Sequence, residues 1–252
     1  MLRTSRISCH HGDSHNQNNL PAAVNIMRAY GEIDVIEIDF VHYGDDIISS
    51  HDYTALNILR GAPLLEWIAT VVVAAQRVLW IDLKPRLDLI EVLLPGTNYA
   101  EKEALCLFAR LKEATSLYDA SVIMPRIIVS SQDPVIVDEV GRHNIDGWQT
   151  LADIPLVSSY IWQEILPFGL QPWLNDSVES HFREHYDFTH HNTVAIDCGF
   201  FERNVSRVLR FVEACRLLPD TILILYNVRN SEPPIEHPRY TNIITQYDFS
   251  LK

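Results

Sequence analysis

Residues 34–40 read Asp-Val-Ile-Glu-Ile-Asp-Phe. In a strand, successive side chains point to opposite faces, so Val35, Glu37 and Asp39 share one side and Ile36, Ile38 and Phe40 the other. One face is wholly apolar, while the other carries two carboxylates toward its C-terminal end. The pattern recurs at residues 78–83, Val-Leu-Trp-Ile-Asp-Leu, which stay apolar until Asp82; Lys84 follows two residues later on the same side. Upstream, the short apolar stretch 7–9 runs into His10-His11-Gly12-Asp13. Three strand candidates therefore place their polar residues at their C-terminal ends.

Helical patterns lie between these strands. Residues 20–30 keep helical spacing through Ala23, Ile26, Met27 and Tyr30, with Asn19 as cap, Pro21 in the first turn and Gly31 as stop. Pro63 opens a helix to about residue 76, and residues 99–117 form another carrying Leu105, Phe108 and Leu111. Asp133-Pro134 opens one toward Gly141, and Val205, Val208, Leu209, Val212 and Cys215 mark the last. Further extended segments are read at 47–50, 127–130, 194–198, 221–226 and 243–247. Residues 148–151 and 156–159 are both strand candidates in the middle of the chain, where one or two barrel strands are expected. Strand-then-helix repetition with continuously apolar strands indicates a parallel sheet covered by helices. The chain has 252 residues, and a (β/α)8 barrel typically needs about 250. No Gly-, Ser- or Pro-rich linker divides it. The expectation is an α/β fold, a single (β/α)8 TIM barrel occupying residues 1–252.

In such a barrel the strand C-termini face one mouth, where active sites sit. His10, Glu37, Asp39, Asp82 and Lys84 would converge there. Converging carboxylates repel one another, and a hard divalent cation relieves the repulsion. Ligands that are all oxygen favour Mg²⁺ or Ca²⁺ over zinc. His51-Asp52 follows the second strand closely; a neighbouring acid can hold an imidazole in one tautomer. His10 and His51 would then give two proton-transfer groups at one mouth. The histidines of segment 181–191 match no ligand spacing and read as solvated loop residues.

Composition narrows the class. The formal net charge of −13 argues against a nucleic-acid binder, which would show a basic surface. No apolar stretch approaches the roughly 20 residues of a membrane span. No secretory signal is visible, so a cytoplasmic location is expected. Cys9, Cys106, Cys198 and Cys215 are far apart, form no Cys-x-x-Cys pair, and read as reduced core thiols. No Gly-x-Gly-x-x-Gly or P-loop pattern occurs, which disfavours a nucleotide-cofactor enzyme.

Taken together, these residues resemble the glycerophosphodiester phosphodiesterase group within the phospholipase-C-like barrel phosphodiesterases. His10-His11-Gly12 stands where that family has His-Arg-Gly, and Asn18-Asn19-Leu20 where it has Glu-Asn-Thr at a helix start. Glu37-Ile38-Asp39 is similar to its Glu-x-Asp, His51-Asp52 to its His-Asp pair, and Asp82-Leu83-Lys84 to its acid-x-Lys strand. Order and spacing agree over residues 7–86. The likeness weakens to Ser130-Ser131-Gln132-Asp133-Pro134 and to Ile224-Leu225-Tyr226-Asn227-Val228, which resembles a Trp-Thr-Val-Asn strand with Tyr226 in the Trp place. The family's Arg is His11 in this chain and its helix-start Glu is Asn18. Asp82 in place of Glu is similar to sphingomyelinase D enzymes, whose disulfide-bearing loop is absent. The short spacing between His51 and Asp82 is similar to the menorin family.

The resemblance implies a metal-dependent phosphodiesterase acting on a small glycerophosphodiester or lysophospholipid. Glu37, Asp39 and Asp82 would hold the Mg²⁺ or Ca²⁺, Lys84 and His11 would contact the substrate phosphate, and His10 and His51 would act as acid and base. A hydroxyl within the substrate would often attack first, giving a cyclic phosphate. Asp82 keeps open a phospholipase D-like lyase, and the changes at positions 11 and 18 keep open a non-catalytic barrel that binds a ligand.

Overall fold

The computed structural model describes residues 6–9, 19–29, 33–84, 98–131, 133–153, 193–197, 206, 209–210, 213, 222–229 and 243–248. Strands β1 (Arg6–Cys9), β2 (Ile33–Tyr43), β3 (Asp46–Ser49), β4 (Val78–Leu83), β5 (Ile127–Ser130), β6 (Gln149–Asp153), β7 (Thr193–Asp197), β8 (Ile222–Arg229) and β9 (Ile243–Asp248) form one sheet. Its order is β1-β9-β8-β7-β6-β5-β4-β2-β3, and a further pairing joins β1 to β2. All neighbours run parallel except β3, which is antiparallel to β2. The eight parallel strands thus close on themselves, with β3 outside the ring.

The extended segment read at residues 47–50 is β3, and it runs antiparallel to β2. Tyr43 pairs with Asp46, leaving Gly44-Asp45 as a two-residue turn. So tight a connection returns the chain antiparallel, since a parallel crossover needs a dozen or more residues. Gly44 supplies the required left-handed backbone at φ +65°. Gly61 serves a close approach instead: a Cβ there would stand 2.2 Å from the Ser49 carbonyl oxygen. Ser49 N–H donates to Ala62 O at 2.9 Å, and Ala62 N–H to Ser49 Oγ at 2.9 Å, which seals the hairpin end against the chain that follows.

Burial explains why the staves read as continuous apolar runs. All six residues of β4 and all four of β5 are buried. Ile36, Ile38 and Phe40 of β2, Leu79, Ile81 and Leu83 of β4, and Ile127 and Val129 of β5 join one apolar cluster with Trp67, Ile68, Val71, Leu107 and Leu111 of the covering helices. That face looks outward onto the helical layer. Phe40 meets Trp67 edge-on with ring centroids 6.2 Å apart, a favoured aromatic geometry. The alternate residues, Glu37 and Asp39 on β2, Trp80 and Asp82 on β4, Ile128 and Ser130 on β5, therefore line the ring's interior.

Helix boundaries follow the local signals. The helix Leu20–Ala29 starts at Asn19, whose Oδ1 accepts from Ala22 N–H at 3.2 Å. The helix Pro134–His143 is capped by Asp133, whose carboxylate accepts from Val135 N–H at 2.9 Å. The helix expected from Pro63 is α-helical only over Leu64–Trp67 and continues as a π-helix, Ile68–Ala74. The β-branched run Ile68, Thr70, Val71, Val72 and Val73 crowds an α-helical turn, and the wider coil accommodates it. In the helix Tyr99–Leu117, Ala104, Leu107 and Leu111 face the core while Leu105 is 49% exposed, so Leu105 belongs to the solvent face. The candidate at 148–151 corresponds to β6, Gln149–Asp153; the candidate at 156–159 lies outside the described residues. Among the described residues no helix is long and apolar enough to cross a membrane.

Candidate metal and phosphate site

The register of β2 against β4 sets Asp39 directly beside Asp82 and Glu37 beside Trp80. Glu37 lies one pleat below Asp39 on the same side, so all three carboxylates enter the same space. One oxygen from each of Glu37, Asp39 and Asp82 lies within 4.8 Å of the others. Asp39 and Asp82 are buried, at 5% and 3% exposure. Ligands about 2.1–2.6 Å from a shared Mg²⁺ or Ca²⁺ are separated by at most about twice that distance, so this spacing suits a hard cation. The donors are all carboxylate oxygens, which also fits Mg²⁺ or Ca²⁺.

Lys84 completes the cluster. Its backbone N–H donates to Phe40 O at 2.8 Å, tying the residue after β4 to β2. Its Nζ stands 2.8 Å from Asp39 Oδ1 and also donates to Asp82 Oδ2. Burial alone would lower the pKa of this ammonium; the charges of Asp82 and Asp39 outweigh it and raise the pKa above the ordinary lysine range. Lys84 is thus a fixed positive charge among the acids.

Asp82 is held from its other side as well. Ser130, its register partner on β5, donates to Asp82 Oδ1 at 3.0 Å, and Trp80 Nε1 donates to Ser130 Oγ at 2.6 Å. Ser130 and Trp80 are not among the site residues that the sequence pattern points to. The legible signal was a serine closing an otherwise apolar buried strand, at the same end as the acids.

His51 follows the strand β3 that pairs with β2. Ser50 N–H donates to Asp39 O at 3.0 Å, and exposed His51 follows directly. Asp52 is engaged in the local turn. Its Oδ1 accepts from Thr54 N–H and Asn57 Nδ2, both at 2.9 Å, which builds the turn into the helix Ala55–Arg60. The bonds from Thr54 are the main reason its carboxyl pKa is lowered, and the charge of His51 is the smallest contribution. His10 and His11, the proposed acid/base partner and phosphate contact, lie outside the described residues, as do Asn18 and the histidines of segment 181–191.

Comparison with known proteins adds the fold's relatives. A structure from Silicibacter pomeroyi DSS-3, assigned as a glycerophosphoryl diester phosphodiesterase, superposes with TM-score 0.57 at 12% identity, covering 97% of this chain and 90% of that one. A glycerophosphodiester phosphodiesterase from Parabacteroides distasonis ATCC 8503 gives TM-score 0.54 at 9% identity, covering 98% and 94%. This chain has the fold of those structures. A further glycerophosphodiester phosphodiesterase, from Agrobacterium tumefaciens C58, gives TM-score 0.51 at 10% identity over 98% and 95%. No protein-family model matches the sequence, and no curated protein matches it. The likeness expected from a few short motifs is thus a likeness of the whole chain in three dimensions.

Proposed function

We propose that this chain is a metal-dependent phosphodiesterase of glycerophosphodiesters or related phospholipid-derived diesters, built as one complete (β/α)8 barrel domain. The observation that carries the reading is the meeting of Glu37, Asp39 and Asp82 within 4.8 Å inside the strand ring, with Lys84 against two of them. These three residues would hold Mg²⁺ or Ca²⁺, which when bound supplies Lewis acidity toward a phosphoryl oxygen.

The chain's own groups do the rest. Lys84 offers a desolvated positive charge to a non-bridging phosphate oxygen, where negative charge concentrates in the transition state. His11 adds a second contact to the phosphate. Of His10 and His51, one takes the proton of the attacking hydroxyl as its oxygen bonds to phosphorus. The other protonates the oxygen of the leaving alcohol as its bond to phosphorus breaks. With water as nucleophile the products are a phosphomonoester and an alcohol. With a hydroxyl of the substrate they are a cyclic phosphate and an alcohol, and intramolecular attack is favoured entropically. Asp82, in place of a Glu, favours the second course and is the one feature that supports a lyase reading.

The test is a discontinuous assay on glycerophosphocholine and lysophosphatidylcholine, with phosphorus NMR of the products. Turnover is expected with Mg²⁺ or Ca²⁺, lost to a chelator and restored by the cation. His51→Ala should lower turnover by about 10²–10⁴-fold with an unchanged melting temperature, because this side chain is exposed. Chelator-insensitive cleavage, or full activity in that variant, refutes the mechanism; a cyclic product identifies the lyase course.

A further inference from the structure

Asp82 has both carboxylate oxygens engaged by the protein. Oδ2 accepts from Lys84 Nζ, and Oδ1 accepts from Ser130 Oγ at 3.0 Å. A serine hydroxyl has one hydrogen and can point it several ways. In this site its direction is decided, because the Trp80 indole N–H, which can only donate, already occupies one side of Ser130 Oγ at 2.6 Å. The hydroxyl hydrogen is left for Asp82. Trp80, Ser130 and Asp82 are 1%, 1% and 3% exposed, so water does not compete for these bonds. The relay Trp80→Ser130→Asp82 therefore fixes the rotation of one carboxylate of the acidic cluster.

We propose that Ser130, oriented by Trp80, is a positioning residue that sets the affinity of the Glu37/Asp39/Asp82 cluster for a divalent cation. The inference rests on the reading of that cluster as a cation site. Partners that orient a metal's ligands typically matter by about 10–100-fold in affinity. Ser131 provides an internal contrast. It is equally buried, at 1% exposure, and its hydroxyl is also committed, donating to Leu83 O at 2.7 Å and accepting from Asp133 N–H at 3.2 Å. Those bonds brace the backbone after β4 and β5 without touching a carboxylate of the cluster.

The experiment titrates Ca²⁺ and Mg²⁺ separately into the chelator-treated full chain by calorimetry, without substrate, for wild type, Ser130→Ala, Ser130→Thr, Trp80→Phe and Ser131→Ala. Ser130→Ala should bind about 10-fold or more weakly. Ser130→Thr, which keeps the hydroxyl, should restore most of the affinity, and Trp80→Phe, which frees the hydroxyl to rotate, should fall between. Ser131→Ala should lose melting temperature and keep its cation affinity. Equal affinity in wild type and Ser130→Ala overturns the inference while leaving the cation site standing; so does an equal loss in Ser131→Ala. Absence of binding in the wild type overturns the cation site itself. If Ser130→Ala does not fold, Trp80→Phe against Ser131→Ala decides on the same criterion.

Discussion

Two clusters of ionisable groups are built into this molecule on opposite principles. The first, Glu37, Asp39, Asp82 and Lys84, gathers three carboxylates inside the strand ring. The second lies between the end of β2 and the helix Tyr99–Leu117. There His42 Nδ1 stands 3.2 Å from Glu103 Oε2, an ion-pair distance without an aligned hydrogen bond, and Cys106 adjoins the same ring. Glu103 and Cys106 are three apart, hence on one face of their helix. The second cluster matches one buried acid with one imidazole, a staple between strand and helix. The first places like charges together, an arrangement that costs stability unless a ligand offsets it. Charge matched within the protein reads as structure; like charge concentrated in one place reads as a site.

The contrast breaks most visibly at Asp82. Asp82→Asn removes a proposed ligand and should lower divalent-cation affinity and diester turnover together by more than about 100-fold, beyond the usual effect of a residue that only supports a ligand. Calorimetry and the turnover assay check this, and retained cation binding would place the site elsewhere.

The His42–Glu103 pair should respond as structure does. Cys106 and Glu103 raise the His42 pKa from 6.5 to about 10, against burial, which lowers it. A raised folded-state pKa contributes stability that is fully present below 6.5 and is lost as pH rises through about 10. Denaturant unfolding should therefore show stability declining across that window. Glu103→Gln should cost about 3 kcal/mol at neutral pH and flatten the decline, with cation affinity unchanged. An undiminished pH slope in that variant would assign it to other groups.

The smallest effect is expected at Arg110. It stands 3.7 Å from Asp46 and donates to Asp45 O at 2.8 Å, bracing the same helix to the β2–β3 turn at a partly exposed position. Arg110→Ala should cost less than about 1 kcal/mol, because solvent screens such pairs. A larger loss by thermal or denaturant unfolding would show that the turn depends on it.

Much of this architecture was legible from short-range pattern. Period two put Glu37 and Asp39 on one side, and Asn19 and Asp133 announced helix starts by side chains able to accept backbone N–H bonds. The π-helical turn at Ile68–Ala74 was less legible, because its apolar spacing suits an α-helix and the crowding of β-branched residues appears only on close packing. Asp52 has a local role that adjacency to His51 does not reveal: a carboxylate two residues before a backbone N–H can accept from it, and here it accepts from Thr54.

By itself, the sequence determined the alternation of strand and helix, the faces within each strand, and the identities of the acids, lysine and histidines with chemistry to offer, because these depend on neighbours a few residues away. Tertiary structure decided that Asp39 stands beside Asp82, that Ser130 bridges Trp80 to that carboxylate, and that β3 lies outside the ring. The physical reason is register. Alternation within one strand says which residues share a face, but not which residue of a neighbouring strand meets which, so only the closed sheet can set it.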